Sequence, residues 1–163
     1  MTAVTGQEHW TTKKTADGDV KLFLWEKFVG SPDGKPAVLF VHGSSMASQP
    51  TFDLTVPGRP DSSVMDWFAE RGFVCWCIDM EGYGRSSKTR DIYCDIANGA
   101  DDLEAATDYI AATRGLKSFN LWHLLRRLAC CSLRAAPPRA RLSPRARCLR
   151  LDRRGRTDAR AAA

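Results

Sequence analysis

Polar and apolar positions alternate through GQEHWTTKKTADGDVKLFLWEKF, residues 6–28. Val20, Leu22 and Leu24 recur with Lys21 and Phe23 between them, the pattern of a half-buried strand. The segment predicts two strands joined by a turn at Asp17, Gly18 and Asp19. His9 falls in the polar first strand and is expected at the surface. SPDGKP, residues 31–36, is a turn, because proline and glycine supply its dihedrals. AVLFVH, residues 37–42, then runs apolar without alternation, as a strand covered on both faces does.

A long loop rich in Pro, Gly and Ser follows, residues 46–63. Asp61, Ser62 or Ser63 can cap the next helix, VMDWFAERG, with Val64, Trp67 and Phe68 on one face and Gly72 as the stop. FVCWCIDM, residues 73–80, is a second buried-type strand. DDLEAATDYIAATRG, residues 101–115, predicts a helix with Leu103, Ala106, Tyr109 and Ile110 on one face. Its first turn is acidic and Gly115 ends it. SFNLW, residues 118–122, opens a third buried strand. Strand, helix, strand, helix, strand with short turns predicts an α/β domain, its sheet mostly parallel with helices on both faces.

Charge divides the chain. Residues 1–121 carry 12 Lys+Arg against 17 Asp+Glu, a net −5, whereas residues 122–163 carry 12 Arg against two Asp, a net +10. No apolar run approaches the roughly 20 residues that span a bilayer, and MTAVTGQEHW has no signal-peptide pattern, so a cytoplasmic location is expected. Cys75 and Cys77 flank Trp76 in a strand and should share one buried face as free thiols. Cys130 and Cys131 are adjacent, which suits neither a redox motif nor zinc. Neither a metal nor a cofactor is expected.

In parallel α/β sheets, sites form at the carboxyl ends of strands. Two ends here carry small and polar residues: His42-Gly43-Ser44-Ser45, and Asp79-Met80-Glu81-Gly82-Tyr83-Gly84-Arg85-Ser86. In this order the pair resembles the α/β-hydrolase family over residues 8 to about 122, its N-terminal half. The resemblance implies a serine hydrolase acting on ester or amide bonds of a small molecule. It gives Ser44, with Ser45 next, as donor of an oxyanion-hole N–H. It also implies that His42 braces that turn, that Gly43 lets the backbone pass close to substrate, and that Asp79, Gly82 and Gly84 build the second turn.

The family's next feature is a nucleophile elbow, G-x-S-x-G, directly after the strand. Instead, residues 123–163 lack Lys, Ile, Val, Phe, Tyr, Asn, Gln, Glu and Met, and Arg, Ala and Leu fill 28 of the 41 positions. This divides the chain into residues 1–122, the half-domain, and 123–163, an Arg-rich tail expected to be disordered and out of frame. The expected product lacks nucleophile, acid and catalytic histidine, is inactive, and leaves the strand at 118–122 as an apolar sheet edge. The alternative is a binding protein whose tail neutralises nucleic acid or another polyanion, although no aromatic residue after Trp122 is interleaved for base stacking and no specific nucleic-acid module is spelled out.

The codons make the first reading testable. Trp122 is TGG and His123 is CAY; a one-base shift forces GGC, a glycine, and the following triplets permit Thr-Ser-Ser-Gly-Ala. A triplet beginning with T cannot encode Asp, so the shifted nucleophile is Ser rather than the Asp of dehalogenase-type relatives. Sequencing the coding DNA is expected to show that frame opening with Gly-Thr-Ser-Ser-Gly and continuing in strand–helix periodicity; a stop codon within a few triplets would overturn the reading.

Overall fold

The computed structural model describes residues 3–91, 95–116, 119–123 and 146–148. The basic segment 123–163 therefore lies outside the described residues, apart from His123 and a three-residue strand. A hairpin of two 12-residue strands, β1 (Val4–Thr15) and β2 (Gly18–Val29), opens the fold. Strand β3 (Ala37–Val41), helices α1 (Ser48–Phe52) and α2 (Val64–Ala69) and strand β4 (Val74–Asp79) follow. The chain continues with the 19-residue helix α3 (Ile96–Arg114), strand β5 (Phe119–His123) and strand β6 (Ala146–Cys148).

The strands form one sheet in the order β1-β2-β4-β3-β5-β6. β3 pairs parallel to β4 and β5, and β5 pairs parallel to β6. β1 with β2 and β2 with β4 are antiparallel. The sheet is thus mixed, not mostly parallel as the sequence suggested. The reason is that the chain reverses twice before its first helix, once between β1 and β2 and again between β2 and β3; β3 then pairs parallel with β4, so β2 meets β4 against its direction. The edge expected at residues 118–122 is paired over Phe119–Leu121 by β6.

β3 and β4 are buried along their whole length, which explains their unbroken apolar runs. One face carries Leu39, Val41, Trp76 and Ile78 under Leu103, Ala106 and Ile110 of α3. The other carries Val38, Phe40, Cys75 and Cys77 under Phe52, Met65 and Ala69. Helices therefore cover both faces. The two cysteines share a face as free thiols; burial first of all pushes the Cys75 thiol up to about 12 and the Cys77 thiol upward too, so neither is a nucleophile at neutral pH.

Both longer helices start from capped ends. Ser63 accepts the Asp66 N–H at 3.0 Å, and Asp95 accepts the Asn98 N–H at 2.8 Å. α3 begins at Ile96, five residues before the acidic run, so its first turn holds no acid. It ends at Gly115, whose φ of 61° is left-handed, as expected. α2 is rotated from the expected face. Met65 and Ala69, one turn apart, are buried, whereas Val64 and Trp67 remain 39% and 48% exposed. The Arg71 guanidinium covers the Trp67 ring at 3.7 Å.

Buried charge ties the hairpin to every longer helix. Glu26 on β2 is fully buried, and its carboxylate accepts from Arg114 Nε at 2.7 Å and Nη2 at 2.5 Å. His9 Nε2 lies 3.0 Å from the same carboxylate and Nδ1 lies 3.1 Å from Tyr109 Oη. His9 is therefore buried rather than at the surface; alternation turned it toward α3, and the two polar partners satisfy both its ring nitrogens. Nearby, Lys13 Nζ meets Glu81 at 2.8 Å and Asp102 at 2.5 Å, and Arg90 holds Glu81 with two bonds of 2.7 Å. On the opposite face Lys27 pairs with Asp53 at 2.7 Å and with Asp66, and the Trp25 indole N–H donates to Asp53 at 2.7 Å.

Removing one partner of a buried pair strands the other. Glu26→Gln is expected to destabilise the fold by about 3 kcal/mol, read as a lower denaturant midpoint. Glu81 gives a pH signature. The Arg90 hydrogen bonds, opposed by burial and aided by Lys13, hold its carboxyl down at about 2. Its folded value is depressed, so its contribution is full above the ordinary value of 4.5 and drains as pH falls toward 2. The stability difference between wild type and Glu81→Gln is expected to shrink over that window; a difference flat in pH would refute it.

Candidate active site

β3 and β4 run parallel in register, Val41 opposite Ile78, so their carboxyl ends emerge side by side. His42 follows β3 directly and is fully buried. Its Nε2 lies 3.0 Å from the Met80 nitrogen just past β4. A backbone N–H can only donate, so Nε2 accepts, and Nδ1–H donates to the Gly43 carbonyl at 2.6 Å. Both ring nitrogens are thereby committed. The Tyr83 ring packs 4.8 Å from the imidazole, and its hydroxyl donates to the Ser44 carbonyl at 2.8 Å. The two turns clasp each other through these contacts.

Asp79, the last residue of β4, is buried and anchors both turns. Its Oδ1 accepts from the Ser48 N–H at 2.8 Å and the Ser48 hydroxyl at 2.6 Å, and Oδ2 accepts from the Arg85 N–H at 2.9 Å. Ser86 extends the tie to the hairpin. Its hydroxyl donates to the Asp79 carbonyl at 2.5 Å and accepts from the Phe23 N–H at 2.8 Å. Gly84 is required twice over: its φ is +47°, and a Cβ there would stand 2.0 Å from Asp79 Oδ2. Gly82 also has positive φ, at 86°, whereas Gly43 is not among the positive-φ glycines.

Ser44 and Ser45 are exposed at the tip of the first turn. Among the described residues their backbone N–H groups have no hydrogen-bond partner. The end of β5 lies beside them, because Val41 is opposite His123. The fold thus gathers His42, Gly43, Ser44, Ser45, Asp79, Gly82 and Gly84 at one edge. Sequence reading had not singled out Ser48 and Tyr83: Ser48 opens α1 inside the stretch expected to be a loop and carries no distinguishing pattern, while Tyr83 stood visible within the second turn. Among the described residues no cluster of three or more His, Cys, Asp or Glu could hold a metal ion, and no helix is long and apolar enough to cross a membrane.

No family model matches the chain, and no curated protein matches its sequence. Solved structures do. A haloalkane dehalogenase loop variant from Bradyrhizobium elkanii matches over 74% of this chain with 23% identity and a TM-score of 0.51. A predicted CIB-like hydrolase from Thermoplasma acidophilum matches over 74% with 18% identity and a TM-score of 0.50. A probable hydrolytic enzyme from Pseudomonas aeruginosa PAO1 matches over 72% with 13% identity and a TM-score of 0.51. All have one architecture. The chain has the α/β-hydrolase fold.

The match covers 32%, 51% and 33% of those three chains, so this chain carries about a third to a half of the α/β-hydrolase length seen there. The portion present holds the two turns just described. Their stability rests on Asp79, which gives a direct test. Asp79→Ala leaves the two buried Ser48 donors and the part-buried Arg85 N–H without their acceptor and is expected to destabilise by about 3 kcal/mol. Gly84→Ala, which pushes the same carboxylate aside, should cost about as much as other strained positive-φ positions, roughly 1–3 kcal/mol. Denaturant melts of both variants check this; a loss under about 0.5 kcal/mol for Asp79→Ala would contradict the anchoring.

Proposed function

We propose that residues 1–122 form the N-terminal half of a hydrolase domain and contribute its oxyanion-binding turn, for a small-molecule ester or amide. The observation that carries this reading is the pair of exposed, unbonded N–H groups of Ser44 and Ser45 beside the carboxyl end of β5. A preorganised backbone donor at that place stabilises the negative charge of a tetrahedral intermediate, and removing one such donor typically lowers kcat about 10²–10³-fold. In this reading Ser44 supplies the N–H, with Ser45 the second candidate. His42, Gly43, Asp79, Gly82 and Gly84 support them, and the solved neighbours titled as a hydrolase and a hydrolytic enzyme agree with the general reaction class.

The same geometry argues that this chain does not itself turn over substrate. No G-x-S-x-G occurs in its 163 residues. Among the described residues His42 offers the Ser44 and Ser45 hydroxyls no base, because both its nitrogens are occupied by backbone groups. Treatment with a fluorophosphonate probe is expected to leave the protein unlabelled under conditions that label an active serine hydrolase. Labelling at Ser44 or Ser45 would overturn the assignment of these residues as backbone donors.

A further inference from the structure

We propose that β1 is a dimerisation edge that pairs antiparallel with β1 of a second copy, with Thr11 on the two-fold axis. The argument begins with the direction of the peptide groups. Thr15 and Gly18 flank the two-residue turn and are partners in the ladder, so they form a hydrogen-bonded pair. Bonding alternates along the strand, so the odd-numbered residues of β1 bond to β2. The N–H and C=O groups of Glu8, Trp10, Thr12 and Lys14 therefore point away from the sheet. Among the described residues β1 has β2 as its single strand partner, and no hydrogen bond reaches those outward groups. A 12-residue strand with such an edge is a ready template for another strand.

The occupant follows from charge. The outward groups admit a two-fold antiparallel register only if even-numbered residues face even-numbered ones. Placing the axis at Thr11 sets Glu8 opposite Lys14 of the second copy and Trp10 opposite Thr12. Registers with Glu8 or Lys14 on the axis oppose like charges, and the remaining ones leave both charges without an opposite partner. Arg85 already grips Glu8 with two bonds of 2.6 and 2.7 Å, and Lys14 meets Asp19 at 2.5 Å. In the dimer these pairs join into a row of alternating sign, Arg85–Glu8 against Lys14–Asp19, formed twice by symmetry.

Trp10 supplies the apolar part. It lies on the same exposed face as Glu8, Thr12 and Lys14 and is 44% exposed on a strand that is otherwise polar there. In this register the two Trp10 side chains are diagonal neighbours across the axis, within reach of each other for aromatic residues. One register thus satisfies the outward peptide groups, pairs the charges and covers the indole.

Sedimentation equilibrium of the full 163-residue chain tests this. A monomer–dimer equilibrium is expected. Glu8→Lys should weaken it by about tenfold or more at low salt, and the double variant Glu8→Lys/Lys14→Glu should recover part of the loss, because it restores opposite charges across the axis while setting them beside Arg85 and Asp19. Thr12→Pro removes an N–H that points outward, which leaves the bonds to β2 intact, and should abolish the dimer. If Thr12→Pro fails to fold, the charge-swap series decides alone. A chain monomeric at all accessible concentrations would overturn the proposal. So would an assembly whose affinity ignores Glu8→Lys, or one in which the double variant stays as weak as the single.

Discussion

The buried carboxylate of Asp79 holds this edge of the molecule together. A carboxylate taken from water without partners is costly, and here its oxygens accept two donors from Ser48 and one from Arg85. Ser48 belongs to the connection after β3 and Arg85 to the turn after β4. One side chain therefore makes the two connections a single unit. His42 adds a second tie at the Met80 N–H, and Tyr83 a third at the Ser44 carbonyl. Rigid placement of backbone donors follows from this, because neither turn can shift without breaking a buried polar contact.

The second organising feature is the use of buried charge by the N-terminal hairpin. Lys13 lies on a strand that reads as polar and Glu26 and Lys27 on one that reads as half-buried, yet each reaches ions from elsewhere in the chain: Glu81 and Asp102, Arg114, and Asp53 and Asp66. Buried pairs add little net stability over apolar packing, but each specifies which helix sits on which strand. Burial, the largest influence on Asp102, pushes its carboxyl upward despite Lys13, while Glu81 beside it is held low chiefly by Arg90. Two carboxyl groups sharing one lysine are thus driven apart in acidity by different surroundings.

Much of the architecture was legible in the sequence because burial leaves a periodic trace. The apolar runs of β3 and β4 follow from coverage on both faces, and the shared face of Cys75 and Cys77 from the two-residue repeat of a strand. The α3 face formed by Leu103, Ala106 and Ile110 follows from helical spacing. The same reasoning misplaced Val64 and Trp67, because a six-residue helix offers too few positions to tell one face from its neighbour. It misplaced His9 because a polar residue in a polar strand reads as solvated, and the partners that bury it, Glu26 and Tyr109, are 17 and 100 residues away.

The sequence by itself determined the two strand-end motifs, the glycines at 82 and 84, and the break in composition after Trp122. These are local properties: dihedral demands and residue frequencies do not depend on what lies across the fold. Only the tertiary structure decided that the sheet is mixed, that His42 spends both nitrogens on backbone groups, and that Asp79, Ser48 and Arg85 meet. Strand direction and buried polar pairing are settled by which distant segments come into register, and hydrogen bonds between residues 31 to 100 positions apart leave no periodic signal in a single chain.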